Sequence, residues 1–202
     1  MASPWLVLLA VLVYGLVHSF LASLWAKAHA RRWFGVLADR TYRLLYNLFA
    51  VVSFLPVLAL VGLLPDQPLY TIPFPWVLIT SLGQITAVAA LVLGLFQTDA
   101  WSFLGFRQLV QPTAVDKPAT LVIKGLYRWV RHPIYTAGLV FIWLTPVMTA
   151  NLLAMNAGLT IYIVVGALFE ERKLLREFGQ AYVDYRKSTP MLVPGLVWRP
   201  ND

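Results

Sequence analysis

The sequence predicts an all-α integral membrane protein with five membrane-spanning helices, from its composition, its apolar runs and the placement of its basic residues. The chain has 202 residues, of which 59% are hydrophobic and only 12% are charged. Its mean hydropathy is +0.70. Soluble domains are about half apolar and about a quarter charged, so this composition excludes a water-soluble globule. The length favours one membrane-embedded domain covering 1–202.

Three apolar runs in the first half of the chain are each long enough to cross a membrane as a helix. About 20 apolar residues span roughly 30 Å of hydrocarbon. The three runs are residues 5–26, 42–64 and 76–97. Because no basic residue precedes the first run, we interpret it as a retained helix rather than a cleaved signal peptide.

The fourth apolar run, 134–169, is too long for one span. Its 36 residues would reach about 54 Å as a straight helix. Pro146 and the polar Asn151 and Asn156 interrupt it. These interruptions favour a helical hairpin that turns near Thr149 to Leu152. The predicted fourth and fifth spans are 134–149 and 152–169, and a cytosolic carboxyl-terminal segment, 170–202, follows them.

The basic residues predict the orientation of the chain. All 16 Lys and Arg side chains lie in 27–43, 107–131 and 172–199, on the same side of the predicted spans. Basic residues accumulate in cytoplasmic loops, so the amino terminus is predicted outside and the carboxyl terminus in the cytoplasm, in a bacterial inner membrane.

Charge and cysteine usage exclude several functional classes. The net charge is +7, which in a membrane protein indicates contact with anionic lipid headgroups rather than nucleic acid. The chain has no cysteine, which excludes disulfides, thiolate metal sites and a cysteine nucleophile; we predict no metal site. Within the predicted spans, His18 is the only ionisable residue well inside, and this argues against a transporter or channel.

Polar residues concentrate instead at the predicted cytoplasmic rim. Pro133 has a preset φ that suits the first turn of a helix, which places Arg131 and His132 at the helix mouth. A basic pair beside free backbone N–H groups is a good anion receptor. The open alternative is that these residues only anchor the helix at the lipid headgroups.

A second polar rim follows the last predicted span. Tyr162, Gly166 and Glu170 share one helix face because they are spaced four apart. Gly166 leaves a gap for a ligand, and Glu170 is a candidate acceptor for hydroxyl or ammonium groups. Alternatively, Glu170 and Glu171 pair with neighbouring basic residues. Together the two rims match the carboxylate, hydroxyls and ammonium of S-adenosylmethionine, and equally those of several nucleotides or amino acids.

Two motifs at these rims resemble those of integral-membrane methyltransferases related to isoprenylcysteine carboxyl methyltransferase. The first is L-V-x-x-G-x-Y-x-x-x-R-H-P-x-Y, Leu121 to Tyr135; the second is E-E-x-x-L-x-x-x-F-G-x-x-Y-x-x-Y, Glu170 to Tyr185, followed by Pro190 and Pro194. The resemblance implies a cytosolic S-adenosylmethionine site that is covered by the carboxyl-terminal segment. It also implies an apolar acceptor that enters from the bilayer. The sequence indicates no obligate protein partner. The implied cofactor contacts are Leu121, Val122, Tyr127, His132, Pro133, Tyr135 and Glu170.

Two departures from this family bear on the cofactor and the acceptor. Ala119 stands where the pocket often has a His, which weakens the adenosyl contacts. Gly166 stands where isoprenylcysteine enzymes carry an Arg for the substrate carboxylate. The amino-terminal half resembles the branch that contains methanethiol S-methyltransferase and the NnrU proteins, at His18-Ser19, at Arg43 to Asn47 and at Leu104 to Gln108. The tail motif favours the thiol methyltransferase.

The resemblance therefore implies methyl transfer to a small or lipophilic acceptor, best a thiol such as methanethiol. A thiol must lose its proton before it attacks, and His18 and Glu171 are the candidate bases. Arg131 is a candidate for lowering the acceptor pKa. His18 has an alternative role as an interhelical hydrogen-bonding residue. Two alternatives stay open. The first is methylation of an isoprenylcysteine carboxylate or of a phospholipid. The second is a non-catalytic, NnrU-type accessory role in nitrogen-oxide or haem metabolism.

Overall fold

The computed structural model describes residues 2–110 and 120–196, so Lys117, Ala119 and Arg199 lie outside the described residues. The first part contains α1 (Ser3–Ala22), α2 (Leu24–Phe34), α3 (Val36–Leu63), β1 (Pro68–Thr71), α4 (Trp76–Gln97), α5 (Ala100–Leu104) and α6 (Phe106–Val110). The second contains a 3₁₀ turn (Gly125–Arg128), α7 (Pro133–Trp143), β2 (Val147–Thr149), α8 (Ala150–Phe178) and α9 (Gln180–Ser188). The two short strands pair with each other.

Four helices of the described chain, α1, α3, α4 and α8, are long and apolar enough to cross a membrane. Large apolar side chains stay exposed along them, as Leu9 (55%), Val51 (65%) and Leu82 (64%) illustrate. An exposed apolar surface of this extent needs a hydrocarbon environment. The predicted class of an all-α membrane protein is therefore confirmed, and α1, α3 and α4 correspond to the first three predicted spans.

The predicted hairpin and the five-span count are not confirmed. Helix α7 has 11 residues and rises about 16 Å, roughly half the hydrocarbon thickness. The chain leaves the helix after Trp143, and α8 begins at Ala150, inside the predicted turn. Between them the chain turns and forms β2, and the Pro146 carbonyl accepts a hydrogen bond from the Ile72 amide at 2.9 Å. Helix α8 then continues to Phe178, past the predicted end at 169, so both glutamates are helical.

The chain divides into two compact units. The first unit contains Met1–Gln67, Asp99–Ala119 and Thr149–Gly158, and the second contains Pro68–Thr98, Thr120–Met148 and Leu159–Asp202. Helix α8 contributes its first residues to the first unit and the rest to the second. The assignment of 1–202 to one domain stays a prediction.

Local sequence signals position the helices of the first unit. Ser23 adopts an extended backbone that ends α1, and its hydroxyl accepts a hydrogen bond from the Ala26 amide to cap α2. Gly35 has a φ of +53° and its amide donates to the Arg31 carbonyl at 2.8 Å. This left-handed turn ends α2 and starts α3, so that the two helices pack against each other.

Close packing of α4 against α7 positions the start of α7 in the second unit. A Cβ at Gly83 would lie 2.4 Å from the Leu144 side chain, and one at Gly94 would lie 3.1 Å from that of Ile134. Small residues at such contacts let two helix backbones approach closely. The contact orients the first turn of α7, and with it His132 and Tyr135.

Candidate functional site

Arg131 and Glu171 form a buried two-pronged ion pair that joins the start of α7 to α8. Arg131 Nε donates to Glu171 Oε1 at 2.9 Å, and Nη2 donates to Oε2 at 2.8 Å. The two side chains are 8% and 7% exposed. Parallel guanidinium–carboxylate bonds are among the stronger and more directional polar contacts in proteins, so this pair holds the two helices in one relative position.

Glu171 accepts bonds from further donors in the second unit. His132 Nε2 lies 2.9 Å from Oε1, the Tyr182 hydroxyl donates to the same oxygen, and Arg186 Nε lies 3.3 Å from Oε2. Both carboxylate oxygens are thereby engaged. We call Arg131, His132, Glu171, Tyr182 and Arg186 the Glu171 network; it links α7, α8 and α9.

The chain after α9 is hydrogen-bonded to the residues that precede α7. The Arg131 and His132 amides donate to the carbonyls of Pro190 and Met191 at 2.9 and 3.1 Å. Arg131 Nη1 also donates to the Thr189 carbonyl. These bonds hold residues 189–191 against the residues that precede α7.

The neighbouring Glu170 has a more open environment. Its Oε2 accepts a hydrogen bond from the Tyr135 hydroxyl at 2.7 Å and lies 3.7 Å from His132 Nδ1. The His132 and Tyr135 rings stack with centroids 5.4 Å apart. The Glu170 side chain is 42% exposed, against 7% for Glu171. We call His132, Tyr135 and Glu170 the Glu170 cluster.

Helix α8 presents free space one turn before Glu170. A Cβ added at Gly166 would meet no atom within 4 Å. The partly exposed carboxylate therefore stands beside an open stretch of helix surface, the arrangement expected from the i, i+4 spacing of Gly166 and Glu170.

The 3₁₀ turn brings Tyr127 close to the same region. The Gln97 side chain accepts a hydrogen bond from the Leu126 amide at 2.9 Å, and Gly125, with a φ of +62°, lies so close to Gln97 that a Cβ would clash with it. Burial and the charge of Glu170 raise the pKa of Tyr127 to about 12, so its phenol is protonated at neutral pH. Leu121 and Val122 are half-buried in the irregular chain before the turn.

His18 lies in the first unit, on α1. Its Nε2 is 2.7 Å from the Tyr46 hydroxyl on α3, and its ring stacks with Tyr14 at 5.5 Å. This contact matches the interhelical hydrogen-bonding role that the sequence left open for His18. The other predicted site residues, from Leu121 to Glu171, all lie in the second unit.

Sequence reasoning assigned no role to Tyr182 and Arg186. Both side chains reach Glu171 from α9, and Tyr182 is only 1% exposed. Their spacing of four residues, which places them on one helix face, was the available signal. In the described ranges 2–110 and 120–196, no group of three or more His, Asp or Glu side chains is arranged to hold a metal ion.

A family model described as phospholipid methyltransferase matches residues 79–181, which is about half of the chain. The matched range contains the Glu170 cluster and, within the Glu171 network, Arg131, His132 and Glu171. No solved structure matches the chain.

Individual relatives are similar in sequence to this chain over segments of different length. Methanethiol S-methyltransferase from Mycobacterium tuberculosis is 40% identical over 109 residues, covering 52% of this chain and 44% of that protein. The enzyme of the same name from Pseudomonas sp. (strain GM41) is 29% identical over 197 residues, covering 89% and 73%. Mouse protein-S-isoprenylcysteine O-methyltransferase is 33% identical over 95 residues, covering 44% and 32%. The chain thus spans less than half the length of the Mycobacterium and mouse proteins.

Proposed function

Because the chain belongs to the phospholipid methyltransferase family, we propose that it is a membrane methyltransferase that uses S-adenosylmethionine to methylate a small thiol such as methanethiol. The Glu170 cluster, a partly exposed carboxylate beside the open surface at Gly166, is the observation that carries the proposal. The relatives named methanethiol S-methyltransferase support the choice of a thiol.

The residues of the Glu170 cluster fit the polar groups of S-adenosylmethionine. A carboxylate that already accepts one bond from Tyr135 keeps further lone pairs for hydroxyl or ammonium donors. The Tyr135 ring, which stacks on the buried His132 ring, supplies apolar surface beside it. In this proposal Leu121, Val122, Tyr127, His132, Pro133, Tyr135 and Glu170 hold the cofactor.

The other members of the Glu171 network, Arg131, Glu171, Tyr182 and Arg186, position these residues and take no part in the chemistry. Both Glu171 oxygens and most Arg131 donors are already engaged within the protein. We therefore assign Arg131 and Glu171 to holding His132 and the tail in place, in preference to the roles of acceptor activation and general base.

Alignment and exclusion of water supply most of the rate enhancement in this mechanism. When bound, the cofactor supplies a methyl group activated by its sulfonium. The tail carbonyls bonded to the mouth of α7 hold residues 189–192 in place, and an ordered tail excludes water from the site. The thiol must reach the site as a thiolate, and His18 stays the candidate base in this proposal.

A thiol acceptor fits the chain better than a prenylated carboxylate. Gly166 offers no cation for a carboxylate, and a side chain there would meet only free space. We propose that the acceptor enters from the bilayer and the cofactor from the cytosol. Phospholipid amines are the second acceptor class, which the family description favours.

Binding of S-adenosylhomocysteine, measured by calorimetry on detergent-purified protein, tests the cofactor site. We expect saturable binding that weakens at least tenfold in Glu170→Ala and in His132→Ala, and several-fold in Tyr135→Phe. Glu177→Ala, an exposed glutamate on the same helix, is the matched control and should bind as wild type does. No binding to folded wild-type protein, in detergent and again in nanodiscs, would refute the proposal.

Methyl transfer to candidate acceptors tests the substrate class. We expect the purified protein to methylate methanethiol faster than phosphatidylethanolamine or a farnesylcysteine, in the presence of S-adenosylmethionine. His18→Ala should leave S-adenosylhomocysteine affinity unchanged and lower the rate most at acidic pH, where fewer thiols are ionised. Equal rates for His18→Ala and wild type at every pH would remove His18 as the base.

We further propose five crossings of a bacterial inner membrane, with the amino terminus outside and residues 170–202 cytosolic. The basic residues support this orientation. The chain has no cysteine, so single cysteines report location directly. An impermeant maleimide should label Ala2→Cys and Gln67→Cys in intact spheroplasts, and Glu177→Cys only after lysis. Labelling of both Ala2→Cys and Glu177→Cys only after lysis would refute an odd number of crossings.

A further inference from the structure

A cavity of about 400 Å³ lies in the first unit, along one face of α3. Leu21 of α1 and Ala30 and Phe34 of α2 form one side of it, and α3 residues from Leu37 to Phe49 form the other. This stretch of α3 is about 18 Å long. Phe34 is 60% exposed although it lines the cavity, so the cavity opens on the surface of the unit.

The wall of the cavity presents carbon almost throughout. Its hydroxyl-bearing side chains among the described residues are Thr41, Tyr42 and Tyr46. Thr41 donates to the Leu37 carbonyl at 2.8 Å, Tyr42 donates to the Leu21 carbonyl at 2.6 Å, and the Tyr46 hydroxyl lies 2.7 Å from His18 Nε2. Because Thr41 and Tyr42 already donate their hydroxyl protons, an anionic ligand group would lose its hydration here without gaining these donors. The wall therefore selects a hydrocarbon chain.

The helices that form the cavity carry a strong positive charge. Between Leu24 and Phe49 the sequence has five basic side chains, Lys27, Arg31, Arg32, Arg40 and Arg43, against one acidic side chain, Asp39. Asp39 is already paired with Arg31 at 3.3 Å. This excess attracts an anionic headgroup from the cytoplasmic leaflet.

Helix α2 has the composition of a helix at the membrane surface. Leu24, Trp25 and Trp33 are 81%, 58% and 76% exposed, and basic residues alternate with them along the helix. Apolar and Trp side chains beside Lys and Arg are typical of helices that lie at the boundary between headgroups and hydrocarbon. A lipid chain in the cavity would therefore have its headgroup at the level of α2.

We propose that this cavity binds one acyl chain of an anionic phospholipid, whose phosphate lies against the basic residues of α2 and of the first turns of α3. The cavity supplies the apolar contact and the basic residues supply the selectivity for negative charge. The proposal does not depend on the methyltransferase activity, because its occupant is an anionic phospholipid rather than the cofactor or a thiol.

Native mass spectrometry of the full-length protein, released from detergent with added lipid, tests the proposal. We expect one phosphatidylglycerol to stay bound at least tenfold more tightly than phosphatidylcholine with the same acyl chains. Ala38→Trp should abolish this preference, because Ala38 lines the cavity and is only 6% exposed. Ala30→Trp fills the cavity from α2 and provides a second variant if the first does not fold.

The matched control is Leu48→Trp, which adds the same ring to the same helix at a position 58% exposed and outside the cavity. It should bind phosphatidylglycerol as wild type does. The double variant Arg31→Gln, Arg32→Gln should bind both lipids with equal affinity. Wild-type binding without preference for the anionic lipid would overturn the proposal. Unchanged binding in both cavity-filling variants, or equal loss in Leu48→Trp, would overturn it as well.

Discussion

The polar side chains of the two units are arranged in different ways. In the first unit they form pairs, such as Tyr46 with His18 and Arg31 with Asp39, and a partly exposed group in which Arg43 and Gln108 donate to Ser102. In the second unit Glu171 joins side chains from α7 and α9 in one buried network. Separate pairs can be lost one at a time. A network that shares one carboxylate fails together, because its loss leaves the buried Arg131 without a counter-charge and Tyr182 without its acceptor.

This difference agrees with the proposed roles of the two units. A site for a polar cofactor needs side chains held in one arrangement before the ligand binds, and the Glu171 network provides such support for His132. A cavity for a lipid chain needs only apolar surface of sufficient length. The comparison can be tested by substitutions that remove one polar group at a time.

Glu171→Ala should cause the largest loss of folding stability. It leaves the buried Arg131 guanidinium without its counter-charge, and breaking a buried pair in this way costs about 3–5 kcal/mol. The free energy of unfolding in mixed detergent micelles measures the loss. Glu177→Ala, on the exposed side of α8, should change it little. Equal losses in the two variants would show that Glu171 is not the centre of a network.

Arg131→Lys should cause the second-largest loss of folding stability. Lysine keeps the charge but cannot make the two parallel bonds to Glu171 or reach the tail carbonyls at the same time. We expect a loss of about 2 kcal/mol in the same measurement, together with faster proteolysis after residue 188. Arg172→Lys, an exposed neighbour of Glu171, should leave both unchanged.

Two tyrosine-to-phenylalanine changes compare the units directly. Tyr182→Phe removes a hydroxyl that donates to a buried carboxylate, and bonds to charged groups contribute about 1.5–3 kcal/mol. Tyr46→Phe removes a hydroxyl bonded to a histidine, and neutral bonds contribute about 1 kcal/mol. Thermal unfolding should therefore show a larger loss of stability for Tyr182→Phe than for Tyr46→Phe. A larger loss for Tyr46→Phe would reverse the comparison.

Alkaline pH should have the smallest effect on stability. Burial raises the pKa of both Tyr127 and Tyr185 from 10.0 to about 12. The folded state therefore favours the neutral phenols, which stabilise it fully below pH 10 and lose that contribution as the pH rises towards 12. The melting temperature should fall over this interval, and less steeply in Tyr185→Phe. Tyr70→Phe, at a position 42% exposed, should keep the wild-type slope.

The helical membrane class and the residues of the Glu170 cluster were predictable, because both depend on local pattern. Twenty apolar residues without charge give a spanning helix in most tertiary contexts, as α1 and α4 illustrate. Gly166 and Glu170 share a face through helix geometry alone. The end of α7 was not predictable, because it depends on the pairing of Val147–Thr149 with Pro68–Thr71 and on the bond from the Ile72 amide to the Pro146 carbonyl, more than 70 positions apart in the chain.

The sequence by itself determined that the chain lies in a membrane, which helices are long enough to cross it, and which short motifs carry the polar residues. Only the tertiary structure decided what each polar residue contacts. Glu170 and Glu171 are adjacent and identical, but successive residues point about 100° apart around a helix. Packing of α9 and the start of α7 buries Glu171 in a network, while Glu170 stays open beside Gly166. These environments differ because they depend on segments distant in sequence, which no local pattern records.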